Sequence, residues 1–363
     1  MSAPADVAIV GGGIVGCAAA AFLAEAGATV EVYEREEVGS AASGRNSGSI
    51  QHPFDPVMAE LHTETLAHYR ELDDFDLPEQ PAGVLMLAPD AASLEPAVAE
   101  IARECPELEA ALLDPGSVRE LEPSVAEGLW ACRLETGYPV GPMAATRAFA
   151  RRAFAAGARF HEGETAWPWA TSGRARGVLS AGVRRPAGAV LVAAGPWTPE
   201  LIDPTRAWQP IVPVWGVVAD VQMDDPPTHA LEEAGVEAVA AGAGSDGALF
   251  TLVRAGRQIS LGSTFLAEPP PDPSAWIPRL QVAGQRFVPG LRRALVVAAR
   301  ACARPQSLDG RPLLGELPDQ SGLWTAAGHG PWGISTGPAS ARLIADAILG
   351  RTEVSASLSV SRF

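Results

Sequence analysis

The chain opens on a run of branched apolar residues, Val7 to Val10, crosses the glycines Gly11 to Gly13, and continues as the almost wholly apolar stretch Ile14 to Ala24. An unbroken apolar run predicts a strand buried on both faces, and the alanine-rich stretch predicts a buried helix reaching about Gly27. A second strand, Thr29 to Tyr33, delivers Glu34 at its end. The next segment, Gly39 to Ile50, holds too many small residues for regular structure. From Pro56 to Leu72 the apolar spacing becomes helical, with Leu61, Thr65, Leu66 and Tyr69 on one face. Gly83 to Ala88 predicts a short strand, with helices near 91–103 and 117–122.

Residues 143–157 predict a helix leading into a strand over 158–162, and Ala187 to Gly195 a buried strand ending on glycine. The most β-like patterns follow at Val212–Val221, Leu249–Arg254 and Gln258–Gly262. The chain then gives a strand from Leu323, a glycine-rich turn, and a helix through Ala341, Leu343, Ile344, Ala347 and Ile348. Strands in the middle with αβ units at both ends predict an α/β fold. One domain is built from separated segments, and a β-rich domain is inserted into it.

The first turn carries chemistry. In Gly11-x-Gly13-x-x-Gly16, Gly11 permits the tight turn and Gly13 lets a pyrophosphate approach the backbone, while Gly16 lets the helix pack closely. The N–H groups at the helix start, Ile14 and Val15, face the phosphates. Glu34 is placed to accept hydrogen bonds from ribose hydroxyls, with Arg35 beside it as a further contact. Dinucleotide binding follows; the motif alone leaves NAD and FAD open. The turn at Gly328–Gly337 is a second glycine-lined helix start where N–H groups meet something electron-rich.

Composition narrows the classes. A chain of 363 residues suffices for two cores. The net charge of -16 argues against a nucleic-acid partner. Every one of the 27 cationic side chains is arginine, which excludes a lysine Schiff base. The four cysteines are scattered, and the six histidines form no ligand-type pair, so no metal site is expected. No membrane span or cleavable leader is evident, and a cytoplasmic location is the expectation. The sequence leaves the oligomeric state open.

Six ordered motifs resemble the FAD-dependent amine oxidoreductases that include D-amino-acid oxidase, glycine oxidase and sarcosine oxidase. These are the nucleotide fingerprint with Glu34; Ser43-Gly44-Arg45-Asn46-Ser47-Gly48; Val190 to Trp197; Pro213-Val214-Trp215-Gly216; Arg304 to Gly315; and Gly328-His329 with Gly333-Ile334. The resemblance selects FAD over NAD. It implies an FAD-binding Rossmann-type domain over 1–80, 142–210 and 298–363, with an inserted antiparallel-sheet substrate domain over 81–141 and 211–297. It adds the loop Ser43–Gly48, Ala194, Gly195 and Trp197, and the turn with Gly328, His329, Gly330, Trp332, Gly333 and Ile334 to the cofactor contacts.

The implied reaction is oxidation of the C–N bond of a D-amino acid, glycine or N-substituted glycine. Hydride passes to flavin N5, the imine is hydrolysed, and oxygen is reduced to peroxide. A dehydrogenase passing electrons to a quinone or partner subunit, or a non-catalytic FAD-binding subunit, are the alternatives. Arg304 matches the family's substrate-binding arginine, and a planar guanidinium suits a carboxylate. Arg254, at a strand end, is a second candidate, set against a structural salt bridge. His52 follows the flavin-passing loop and is a candidate for tuning or proton relay, set against simple packing. Trp215 and Trp332 wall the pocket or belong to the core. Arg45 braces the loop, and His329 packs beside the flavin. Trp215 stands where many members carry a cation, and the oxygen-activating lysine of sarcosine oxidases is absent. Attachment of FAD is expected to be non-covalent, with Cys302 as the one covalent candidate.

Overall fold

The computed structural model describes residues 4–73, 75–236 and 245–363. Its first sheet is organised around β1 (Ala5–Val10), which leads through the glycine turn into α1 (Ile14–Glu25) and back to β2 (Val30–Glu34). The strand order is Leu313–Glu316, Leu323–Ala327, Val183–Val192, β1, β2, Arg159–Glu162. All these neighbours pair in parallel except the first two strands, which are antiparallel.

The apolar run of β1 is explained by two different covers. Val7 and Ile9 join α1 and the helices Pro56–Arg70, Ala144–Ala155 and Gly333–Ile348 in one core. Ala8 and Val10 point the other way, onto the meander Ala166–Thr171 and Arg174–Ser180 that continues into Val183–Val192. Alternate side chains leave opposite faces of a strand, so a centre strand with both faces covered has no polar positions. The helix Pro56–Arg70 starts on Asp55, whose carboxylate accepts the N–H groups of Val57 and Met58. Its face of Leu61, Thr65, Leu66 and Tyr69 is buried, and the Tyr69 hydroxyl donates to the Ile334 carbonyl at 2.6 Å.

The second sheet runs Leu295–Ser307, Ile211–Gln222, Gln258–Phe265, Ser245–Ala255, Ala230–Glu233, Val84–Ala88, Trp130–Leu134, Ala111–Leu113. It is antiparallel apart from one pair, Ala230–Glu233 beside Val84–Ala88. These two strands come from distant segments with no hairpin between them, so no turn imposes the antiparallel direction. Leu85 and Leu87 pack toward the helix Ile277–Gln285, and Val84 and Met86 toward the helix Glu95–Glu104.

One segment is divided differently from the sequence expectation. Residues 298–307 pair with Ile211–Asp220, from Ile211↔Ser307 to Asp220↔Ala298, so they belong to the second sheet. Only the residues beyond them return to the first. The motif around Arg304 is thus split: its arginine sits on the inserted sheet, and its aspartate and glycine turn lie past the strand end. The segment 39–50, expected to be irregular, contains one helical turn at Ala42–Arg45 and a two-residue strand at Ser49–Ile50. Among the described residues no helix is long and apolar enough to cross a membrane.

Close approach at the first turn is a stability constraint. A Cβ on Gly16 would overlap the Gly11 carbonyl oxygen, which is backbone and has nowhere to move. Gly16→Ala is therefore expected to lower stability by about 1–3 kcal/mol, read as a lower melting temperature in thermal unfolding.

Candidate active site

The C-terminal ends of β1, β2, Val183–Val192 and Leu323–Ala327 open into a cavity of about 440 Å³ that extends to the second sheet. Carboxyl ends of parallel strands are where open α/β sheets bind ligands. At Gly11, with φ +115°, a Cβ would overlap the Ala193 carbonyl, so only glycine lets these strand ends meet. Glu34 is fixed at the cavity wall: Oε2 accepts the Gly12 N–H at 2.7 Å and Oε1 the Glu36 N–H at 3.0 Å. The Ile14 N–H donates to Ser43 Oγ at 3.0 Å, which brings the small-residue loop against the start of α1. Arg35 lies 3.8 Å over the Trp197 ring, and both line the cavity, as do Ala194 and Gly195.

The loop is braced by its own side chains. Asn46 Nδ2 donates to the Ser43 and Pro142 carbonyls at 2.9 and 3.1 Å, while its Oδ1 accepts the Gly48 N–H at 2.8 Å. Arg45 donates to the Ala301 carbonyl at 3.3 Å. Ser43, Arg45, Asn46 and Ser47 line the cavity, with Gly13, Ile14 and Val15. Gly16, Gly44, Gly48 and Gly328, expected as cofactor contacts, do not. Their place is close packing: a Cβ on Gly44 would overlap the Met143 side chain, one on Gly48 would press on the Val140 carbonyl, and one on Gly328 would meet Leu313.

Across the cavity, His329, Gly330, Trp332, Gly333 and Ile334 line the turn that starts the helix Gly333–Ile348. Its N-cap, Trp332, offers no side-chain acceptor, and Trp332 meets Phe54 edge to face at 6.3 Å. His329 is only 2% exposed, and its Nε2 has no hydrogen-bond partner among the described residues. Burial pushes its pKa down to about 4.

Arg304 reaches the cavity from the second sheet. Its guanidinium occupies the space over Gly216, where any Cβ would collide with it. Nη1 donates to the Thr264 carbonyl at 2.8 Å, Nη2 to Ser263 Oγ at 2.6 Å, and the group sits 4.4 Å over the Phe265 ring. Burial lowers its pKa, and among the described residues no carboxylate forms an ion pair with it. Cys302 lines the cavity on the same strand face. Burial raises its pKa, against the opposing pull of Arg304, Arg300 and Arg45.

Three expected site residues lie elsewhere. Arg254 is exposed and donates to the Gly256 carbonyl at 3.2 Å, at the far end of its strand. His52 turns from the cavity: its Nε2 pairs with Glu107 at 3.1 Å, its ring stands edge-on to His62, and burial lowers its pKa. Its neighbour Gln51 lines the cavity instead. Trp215 also faces away, because the alternation of its strand gives the cavity Gly216 and Val218. The sequence reading missed Gln51, Phe54, Trp167, Glu232, Thr251 and Phe265, all of which line the cavity. Only Phe265 offered a signal, since its strand was expected to end at Gly262 and continues in the same alternation.

A family model described as DAO, FAD dependent oxidoreductase, matches residues 6–347. The chain belongs to this family of FAD-dependent oxidoreductases. A glycine oxidase of Bacillus licheniformis is 25% identical over 366 residues, spanning 95% of this chain and 93% of that protein. A glycine oxidase of Pseudomonas aeruginosa is 28% identical over 373 residues and 96% of each chain. The solved structure of a glycine oxidase from Geobacillus kaustophilus matches with a TM-score of 0.84 at 26% identity, covering 99% of both chains. The cavity of this oxidoreductase suits FAD on its own observations. Glycines hold the strand ends clear, two helix starts whose N-cap residues provide no side-chain cap face in, and a buried imidazole nitrogen there has no hydrogen-bond partner among the described residues.

The pKa of His329 sets a pH dependence. An unfolded histidine takes a proton near pH 6.5, whereas His329 takes one only near 4. Between those values the unfolded chain binds more protons, so stability is full above pH 6.5 and falls as the pH drops. The loss is on the order of 1–3 kcal/mol. Melting temperatures at pH 7 and 5 should show the decline, and His329→Gln should remove part of it, the rest coming from the buried His62, whose pKa burial lowers to about 3.

Proposed function

We propose that the protein oxidises the C–N bond of a small amino acid (glycine, an N-substituted glycine or a D-amino acid) with FAD as cofactor and dioxygen as acceptor. The observation that carries this reading is Arg304: a guanidinium at the cavity wall, held by neutral groups and, among the described residues, in no ion pair with a carboxylate. Leaving a cation desolvated is costly, and a substrate carboxylate would complete it. The names of the glycine oxidase relatives agree.

The start of α1 with Ser43 would hold the pyrophosphate, Glu34 the ribose, and the stacked Arg35 and Trp197 the adenine. The turn His329–Ile334 would take the flavin ring, its helix N-terminus stabilising negative charge that develops on reduction. When bound, FAD supplies the hydride acceptor. The chain's own work is positional. Arg304 fixes the carboxylate, Ser263 and the Thr264 carbonyl hold the guanidinium plane, and Phe265 covers its face. Trp332 and Phe54 add apolar wall. No dedicated base is needed where the amine binds neutral.

Arg304→Ala should lower kcat/KM by roughly thirty-fold to several thousand-fold, since removing one partner of a shielded charge pair costs about 2–5 kcal/mol. Arg304→Lys should recover only part, as an ammonium lacks the planar fork. Anaerobic stopped-flow reduction of the flavin by an amino-acid panel, followed by air and peroxide detection, is the measurement. Unchanged reduction in the alanine variant would remove Arg304 from the site. Bleaching that air fails to reverse would replace the oxidase with a dehydrogenase.

Cys302 is read as a packing residue, not a flavin ligand, because its raised pKa disfavours the thiolate that attack on the flavin needs. Acid precipitation should give a colourless pellet and a yellow supernatant, and Cys302→Ser should keep the full FAD content.

A further inference from the structure

One cluster of ligand-type side chains lies away from the cavity. Among the described residues, the His52 imidazole, the Cys105 thiol and the Glu107 carboxylate place one donor atom each within 4.8 Å of one another. None of the three lines the cavity. The sequence spacing gives no sign of the cluster, because Glu107 stands 55 positions from His52 and only the fold brings them together.

Local structure holds each donor in place. His52 follows the two-residue strand Ser49–Ile50, and its backbone N–H donates to Thr136 Oγ1 at 2.9 Å. Cys105 closes the helix Glu95–Glu104, its N–H donating to the Ile101 carbonyl, and it starts the single turn Pro106–Leu108 that carries Glu107. Pro106, between the two ligands, fixes the backbone there. His52 and Cys105 are 4% and 1% exposed, whereas Glu107 reaches solvent. A histidine–glutamate pair alone would account for the 3.1 Å contact of His52 Nε2 with Glu107. The buried thiol beside it adds a third donor of a different kind. Nitrogen, sulfur and oxygen together suit a borderline-soft divalent ion such as zinc, which takes all three at about 2.0–2.3 Å. Tetrahedral bonds of that length set donors about 3.3–3.6 Å apart, so the cluster must tighten by about 1 Å at its widest. The exposed Glu107 side chain can supply that movement.

We propose that His52, Cys105 and Glu107 bind one zinc-class divalent cation, its fourth position open to water, and that the ion clips the segment Gln51–Phe54 to the turn Pro106–Leu108. Gln51 and Phe54 line the cavity on either side of His52, and Phe54 also packs on the apolar cluster that includes Cys105 and Leu108. The cation therefore fixes a stretch of cavity wall from behind. Burial and the charges of Glu107, Glu104 and Asp55 raise the Cys105 pKa, so the thiol carries its proton until metal arrives. Binding exchanges the S–H bond for a sulfur–zinc bond and releases the proton to solvent. The ion is structural here and takes no part in the oxidation of the amine.

The untagged, FAD-loaded protein is dialysed against a chelator and then titrated with Zn2+ by calorimetry. One zinc per chain should bind, and the melting temperature should rise with zinc concentration. X-ray absorption at the zinc edge should show one sulfur at about 2.3 Å beside nitrogen and oxygen neighbours. Cys105→Ser and His52→Gln should each weaken binding by more than about ten-fold, and Cys105→Ser should remove the sulfur signal. Glu107→Gln, a change at the surface that leaves the buried packing intact, should weaken binding as well. Mg2+ in large excess should not displace the zinc, because a hard ion prefers oxygen donors. Failure to bind stoichiometric zinc would overturn the site. So would zinc held at the parent affinity in Cys105→Ser and Glu107→Gln, or zinc displaced by magnesium.

Discussion

The structure turns on the strand Leu295–Ser307, whose pairing with Ile211–Gln222 carries two arginines on one face. Arg300 and Arg304 are four residues apart and so point the same way, yet their charges are used differently. Arg300 is fully engaged: it pairs with Asp220, donates to Ser260 Oγ at 2.8 Å, and reaches the Arg45 and Asn46 carbonyls at 3.2 and 2.9 Å. It thereby joins the inserted sheet to the loop that borders the cofactor end of the cavity. Among the described residues, Arg304 donates to a carbonyl and a hydroxyl and lies over an aromatic face. One arginine closes the junction between the two sheets, and the other remains able to receive an anion.

Small residues open the cavity on both sheets. Gly216 leaves room for the Arg304 guanidinium, and Gly11 lets the ends of β1 and Val183–Val192 converge. A single methyl at either place would displace a charged plane or a carbonyl. Close backbone approach at these glycines shapes the cavity at the strand ends.

The charges within the cavity contrast with the chain as a whole. A protein of net charge -16 gathers Arg35, Arg45 and Arg304 along one internal surface. Groups whose ionisation would compete there are kept neutral by burial, His329 by a lowered pKa and Cys302 by a raised one. Local placement, not net charge, decides which anions are welcome.

Much of this was legible in the sequence because it is encoded locally. The run Val7–Val10, the glycine spacing, Glu34 at a strand end and the helical face of Leu61, Thr65, Leu66 and Tyr69 each follow from the geometry of a single element. Arg304 stood out through its motif. Which face a strand turns inward was a different matter, because a period of two fixes alternation and not direction. Trp215 therefore lost its place to Gly216, while in the irregular segment after Ser49–Ile50 His52 turned away and its neighbour Gln51 faced the cavity. Arg254 proved to lie at the wrong end of a correctly expected strand. Glu232 gave no signal at all, being one carboxylate in a short strand. Its position depends on a parallel pairing with Val84–Ala88 and a cross-strand neighbour, Thr251, supplied by other parts of the chain. The sequence determined the elements and the nucleotide turn. Only the packing of the two sheets decided which side chains share the cavity, because that sharing depends on residues hundreds of positions apart.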